Sequence, residues 1–176
     1  LSLSSDGEYL YCAAYDEDAI SWFERNAATG SLSYLGVIKD GVGGVDGLDG
    51  VTSVTISADD KHLYLAGYMD DSLGWFDRNE STGALIYGGT LKDGLNGVDG
   101  LNNAYDVVLS ADGGFAYVVG YEDDSISWFD RNATTGALSY EGLIKDGVGG
   151  VDGLDGAMSL KLSFDEKHVY VVGALD

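Results

Sequence analysis

The sequence predicts an all-β fold of the β-propeller class, built from four-stranded antiparallel blades. Three observations lead there. Trp22-Phe23, Trp75-Phe76 and Trp128-Phe129 share one local frame, and successive tryptophans differ by 53 residues. Each repeat divides into four short strand-like runs separated by turns rich in Gly, Asp and Asn. The second run of each repeat is almost continuously apolar, so both faces of its sheet must be covered. Repetition at this period marks units that bury their faces against neighbouring units.

The units run over 1–53, 54–106, 107–159 and a partial 160–176, one propeller segment of roughly 3.3–3.5 blades. In the second unit Val54 to Ser57 alternates as a strand and meets a turn at Ala58 to Lys61. His62 to Tyr68 is the second strand, Leu73 to Asp77 the third and Ala84 to Leu91 the fourth. Leu63-Tyr64-Leu65-Ala66, Ala116-Tyr117-Val118-Val119 and Val169-Tyr170-Val171-Val172 carry the two-sided apolar pattern. Stacked blades cover both faces of each sheet, whereas a sandwich covers one.

The first two strands occur four times and the last two three times. Fewer than four complete blades leave strand edges unpaired. Further blades of a longer parent chain are the first expectation, and association with other copies of the chain is the second. Leu1 already lies inside a repeat and no Met precedes it, so the sequence reads as a piece of something larger.

The chain has 45% hydrophobic residues, 27 Gly, no Pro and 12 Tyr, a mixture suited to short strands and tight turns. Nine basic residues against 30 acidic ones give a formal charge of −21. That sign disfavours nucleic acid and anionic membrane surfaces as partners. No run is apolar enough to span a bilayer, and no signal-peptide pattern is present. Cys12, the single cysteine, corresponds to Leu65, Val118 and Val171 and reads as a small buried hydrophobe.

The pattern S-x-D-G-x-x-L/A-Y-x-x-x-Y-x-D-x-x-I-x-W-F-x-R-N-x-x-T-G-x-L-x-Y, followed by I-K-D-G-V-G-G-V-D-G-L-D-G, recurs through the chain. It resembles the blades of lactonase-type, 6-phosphogluconolactonase-like bacterial β-propellers. The resemblance implies a propeller. It is specific for the blade and not for an activity, since such blades occur in sugar-lactone hydrolases and in large secreted or surface proteins.

Alternating strand direction brings the loop between strands two and three to the same face as the loop leading to the next blade. Both loops are acidic. Asp16-Glu17-Asp18, Asp70-Asp71 and Glu122-Asp123-Asp124 form one set. Asp40, Asp46 and Asp49, then Asp93 and Asp99, then Asp146, Asp152 and Asp155 form the other, and these eight are the candidate metal ligands. Ca²⁺ takes six to eight oxygens, which carboxylates and exposed Gly carbonyls supply. The competing reading is turn chemistry: Asp caps loop amides and Gly takes positive φ. Asn102 and Asn103 replace Asp49 and Gly50 one repeat later, which keeps a turn and removes charge. Adaptation to high salt is a third account of the acidity.

Candidates for catalysis are few. His62 and His168 sit where the other copies have Tyr9 and Phe115, the pattern of a ring filling one packing niche. Arg25, Arg78 and Arg131 recur beside carboxylates, as rim salt bridges or turn anchors would. The tryptophans read as packing between blades, with a sugar-stacking platform as the alternative. Asn79-Glu80-Ser81 and Asn132-Ala133-Thr134 match glycosylation acceptors, but Asn26-Ala27-Ala28 does not.

Residues present in every copy read as scaffold. The expected function is therefore a non-catalytic extracellular, cell-surface or periplasmic scaffold or binding module, contacting cations, a surface ligand or a glycan. The alternatives are a lactonase-like hydrolase with active residues outside this segment, and a structural subunit of a filament or lattice.

Overall fold

A computed structural model describes residues 1–175 of the chain. Its strands are β1 (Ser2–Leu3), β2 (Tyr9–Ala14), β3 (Ala19–Arg25) and β4 (Leu32–Lys39), then β5 (Val51–Ile56), β6 (His62–Gly67), β7 (Ser72–Arg78) and β8 (Leu85–Lys92). They continue as β9 (Ala104–Leu109), β10 (Phe115–Gly120), β11 (Ser125–Arg131) and β12 (Leu138–Lys145), and end with β13 (Ala157–Leu162) and β14 (Val169–Gly173). They form three four-stranded sheets in the orders β1-β2-β3-β4, β5-β6-β7-β8 and β9-β10-β11-β12, plus the two-stranded sheet β13-β14. Each sheet is an antiparallel meander. This is the expected propeller segment. The first strand of each later blade begins three residues earlier than the repeat pattern indicates, at Val51, Ala104 and Ala157, because the preceding loop pairs into the ladder. Val51 pairs Gly67, Ala104 pairs Gly120 and Ala157 pairs Gly173.

Burial follows blade stacking. Strand β6, flanked by a blade on each side, is buried along its whole length. The equivalent residues of β14, with no further blade among the described residues, leave Tyr170 62% and Val172 63% exposed. At the other end Leu32 is 49% exposed, whereas its equivalents Leu85 and Leu138 are 8% and 6% exposed. The cores lie between blades: Tyr11, Leu63, Leu65 and Phe76 fill one, and Tyr64, Val107, Val118 and Phe129 the next.

The tryptophans lie across glycines of the fourth strand. Trp22 pairs Gly36, Trp75 pairs Gly89 and Trp128 pairs Gly142, each beside a bulge. A Cβ at Gly142 would stand 2.8 Å from the Trp128 ring, so glycine makes room for the indole. Trp22 and Trp75 also pack against the interblade cores.

Successive blades are stapled by a Tyr–Arg pair. Tyr11 donates from Oη to Gly83 O at 2.7 Å and accepts from Arg78 Nε at 2.7 Å. One repeat later Tyr64 donates to Gly136 O at 2.8 Å and accepts from Arg131 Nε at 2.6 Å. Each arginine also donates to a carbonyl of its own blade's first turn, Arg78 to Asp60 O at 2.9 Å and Arg131 to Gly113 O at 3.0 Å. The turn-anchor reading of these arginines is thus half of their role, and the other half joins blades.

His62 belongs to the same staple. Arg131 Nη2 lies 2.8 Å from His62 Nδ1 and 3.2 Å from both Asp59 carboxylate oxygens. A guanidinium only donates, so Nδ1 is the unprotonated nitrogen. Burial, and then the Arg131 charge, hold the His62 pKa below the usual imidazole range. At Arg78 the ring in this niche is Tyr9, its centroid 5.2 Å from Arg78 Cζ, and the buried Nη2 has no hydrogen-bond partner among the described residues.

The first strands meet along the inner line of the segment, where Asp106 departs from the repeat. Its equivalents are Ser53 and Ser159, and it accepts from Ser53 Oγ at 2.7 Å, Ser159 Oγ at 3.2 Å and Leu160 N at 3.2 Å. A fourth bond comes from Val107 N at 3.0 Å. A carboxylate has about four acceptor positions, so Asp106 is fully engaged as a buckle across three blades.

Candidate functional site

The two acidic loop sets do meet on one face, through side-chain to backbone bonds that repeat along the chain. Asp40, Asp93 and Asp146 each accept from an amide eight residues on: Leu48 N, Leu101 N and Leu154 N, all at 3.0 Å. Asp18, Asp71 and Asp124 accept from Gly50 N at 3.0 Å, Asn103 N at 2.8 Å and Gly156 N at 2.9 Å. Aspartate therefore shapes these loops, and charge accumulates on the same face as a consequence.

Of the eight predicted ligands, four enter metal-competent groups. Asp40 and Asp46 converge with Asp70, and Asp93 and Asp99 with Asp123, the oxygens of each triad lying within 4.8 Å of one another. Such spacing can hold a metal ion. Asp70 and Asp123 were outside the predicted set, although both stand at the same point of the repeat. Asp146 and Asp152 join no such group among the described residues. The equivalent third position is Asp176, which lies outside the described residues.

The two triads differ in how their charge is met. Lys92 Nζ sits 2.9 Å from Asp46 Oδ1 and 2.8 Å from Asp70 Oδ1. Burial works against the Lys92 charge, but those two hydrogen bonds outweigh it and raise its pKa above the ordinary lysine range. In the second triad Lys145 reaches Asp123 at a longer 3.3 Å. Burial, then the neighbouring Asp123, Asp99 and Asp71 charges, raise the Asp93 pKa.

Asp49 takes part in a different arrangement. Desolvation in its turn, then the charges of Asp18 and Asp70, raise its pKa, and a hydrogen bond with the Asp18 carboxyl raises it further. The Asp18 and Asp49 carboxyls are therefore neighbours in this turn. Asn102 occupies the equivalent position one repeat later, so this pairing is not copied in every blade. Asp49 O and Gly50 O accept from Met69 N at 3.1 Å and Tyr68 N at 3.2 Å. The Asp49 turn is thereby tied to the backbone of Tyr68, whose ring centroid is 6.1 Å from that of Tyr15. Tyr105 and Tyr121 extend the aromatic group, at 5.9 and 6.3 Å from Tyr68.

An apolar groove of about 600 Å³ lies elsewhere, between the outer strands of blades one and two, lined by Val37, Val42, Leu85 and Tyr87 among others. It gathers no carboxylates.

A family model described as lactonase, 7-bladed beta-propeller, matches residues 54–150, which is 97 of the 176 residues. The chain belongs to this family. A Lactobacillus plantarum protein structure matches with TM-score 0.78 and 19% identity, covering 96% of this chain and 48% of its own. A Bacteroides uniformis protein proposed to be a 6-phosphogluconolactonase gives TM-score 0.77 and 20% identity, with 97% and 46% covered. The periplasmic gluconolactonase of Pseudomonas aeruginosa gives 0.72 and 17%, with 97% and 41% covered. These likenesses show the shared fold. The chain spans under half the length of each of the three structures. No functionally curated protein matches the sequence.

Membership in a lactonase family overturns the expectation of a non-catalytic scaffold and of a non-enzyme. Repetition of a residue showed that the residue is structural, and that inference does not extend to the whole chain. Catalytic groups can stand at the positions where copies differ. Among the described residues no helix is long and apolar enough to cross a membrane.

Proposed function

We propose that this lactonase-family segment serves the hydrolysis of a sugar-acid lactone, with the acidic face as the reacting surface. The observation that carries the reading is the family match over 54–150. Asp18 and Asp49, neighbouring carboxyls on that face, are assigned the proton transfers of the reaction. The Asp18 carboxylate takes a proton from water as the water oxygen bonds to the lactone carbonyl carbon. When the ring C–O bond of the tetrahedral intermediate breaks, the leaving oxygen takes the proton held by Asp49. The Tyr15 and Tyr68 rings, 6.1 Å apart, are assigned to stacking a pyranose.

Charge selects among lactones. With a formal charge of −21 and carboxylates crowded on one face, the field repels a phosphorylated substrate and favours a neutral one. It also speeds release of the anionic acid product. The test is ring opening of a neutral aldonolactone and its 6-phosphate by the full-length protein at low and high salt. The expected result is faster turnover of the neutral lactone, with the gap narrowing as salt screens the face. Preference for the phosphate at low salt would contradict the assignment.

A divalent cation, Ca²⁺ by its preference for oxygen donors, is a second reading for the Asp93–Asp99–Asp123 triad. The looser Lys145 contact there supports it, while Lys92 already bonds two carboxylates of the first triad. Added millimolar Ca²⁺ is expected to raise the melting temperature relative to chelator, and Asp99→Asn to abolish the rise. Equal melting with and without Ca²⁺ would count against it. An exported location completes the proposal, supported by the periplasmic description of the Pseudomonas aeruginosa structure.

A further inference from the structure

We propose that Asn96 is a site of spontaneous backbone-assisted deamidation, a covalent modification confined to one repeat. The loop from Lys92 to Val98 makes the same turn in three copies: Gly41 N, Gly94 N and Gly147 N each donate to the carbonyl four residues on, at 3.0 Å. The turn needs a left-handed residue at its third position. Gly43 and Gly149 take φ of 65° there, and Asn96 takes φ of 53°. Asparagine is the side chain that best tolerates this conformation in place of glycine. The residue after it is Gly97, so the second copy alone presents an Asn-Gly step, and no other Asn in the chain precedes Gly.

The chemistry follows from what surrounds the step. Asn96 and Gly97 are exposed. Among the described residues neither the Asn96 amide nor the Gly97 N–H has a hydrogen-bond partner in the protein. Gly97 has no Cβ to shield its nitrogen. After losing its proton, that nitrogen attacks Asn96 Cγ. The new N–Cγ bond closes a succinimide as the Cγ–Nδ2 bond breaks, and ammonia departs carrying the displaced proton. Water then adds to one imide carbonyl and cleaves its bond to the ring nitrogen. Opening at one carbonyl gives aspartate, and opening at the other gives isoaspartate. The amide has become a carboxylate in the loop that carries Asp93 and Asp99. The isoaspartyl product also inserts a methylene into a turn closed by Val98 N to Leu95 O at 3.0 Å.

The other asparagines provide controls inside the same molecule. Asn79 and Asn132 use Oδ1 to accept from two amides each, and Asn103 Nδ2 donates to Tyr68 O at 2.9 Å. Their following residues are Glu80, Ala133 and Ala104, all with a Cβ. The experiment incubates the folded full-length protein at neutral and mildly alkaline pH, followed by peptide mapping with mass spectrometry that separates Asp from isoAsp. The Asn96 peptide is expected to convert several-fold faster than those of Asn79, Asn103 and Asn132, and faster at the higher pH. Asn96→Gly, which installs the residue of the other two copies, is expected to keep the fold and remove the associated acidic charge variant. Conversion of Asn96 no faster than the other asparagines would overturn the proposal, as would the same acidic variant forming in Asn96→Gly.

Discussion

Asp49→Asn is expected to lower lactone turnover by roughly 10²–10⁴, the usual contribution of a positioned general acid or base. The substitution removes the proton donor while leaving the turn intact. Asn102 already fills this position one repeat later, and Asp49 is exposed, so folding is spared. The pH dependence has a definite sign. Asp49 must be protonated to act, and its pKa is raised by desolvation and by Asp18 and Asp70. Turnover therefore falls as pH rises through that raised value, and Asp49→Asn flattens this limb. A steady-state pH profile of both proteins, with melting curves as a check on folding, measures the effect. An unchanged profile in the variant would remove Asp49 from the reaction.

Arg131→Met is expected to cost about 3 kcal/mol of stability, the scale for breaking a buried charged contact from one side. It would leave the Tyr64 hydroxyl without its donor, His62 Nδ1 without a partner and Asp59 without its counter-charge. The repeat supplies a graded series. Arg78→Met should cost less, because among the described residues Nη2 of Arg78 has no hydrogen-bond partner to lose. Arg25→Met should cost least, since among the described residues the Arg25 side chain donates only to Gly7 O, at 3.2 Å. Denaturant unfolding of the three variants gives the ranking directly. Equal losses would mean that the staple between blades contributes nothing beyond the turn anchor.

The blade was legible because its signals are local. Alternation, turn residues and the two-sided apolar run at Leu63 to Ala66 lie within a few residues of one another, and β6 is buried throughout as they require. The common face of the acidic loops followed from strand direction alone. Contacts that cross a blade boundary were harder to see. Tyr11 and Arg78 are 67 residues apart, as are Tyr64 and Arg131, and neither residue type announces a partner. The recurring interval was their signal, visible once strand order was known. Likewise Asp46 and Asp70 converge from different loops, so scanning each loop alone found Asp40, Asp46 and Asp49 and left out Asp70.

The scaffold expectation failed for a related reason. Treating repeated residues as structural was sound for Arg131 and Asp93, which hold a blade boundary and a loop together. It drew attention away from places where the copies diverge. Asp49 against Asn102 keeps the turn, but only Asp49 brings a second carboxyl beside Asp18. Asp106, where its neighbours have serine, shows that divergence also serves architecture. Bonding separates the two cases: Asp106 has all its acceptor positions taken, whereas Asp49 faces another carboxyl.

The decisive measurement is pH-stat titration of acid released from a neutral sugar-acid lactone by the full-length protein, run beside Asp49→Asn and Asp18→Asn. The account predicts release well above the buffer rate for the native protein and near it for both variants. Native protein releasing acid no faster than buffer would contradict lactone hydrolysis by this propeller. Native-like rates in both variants would contradict the placement of that chemistry at the paired carboxyls.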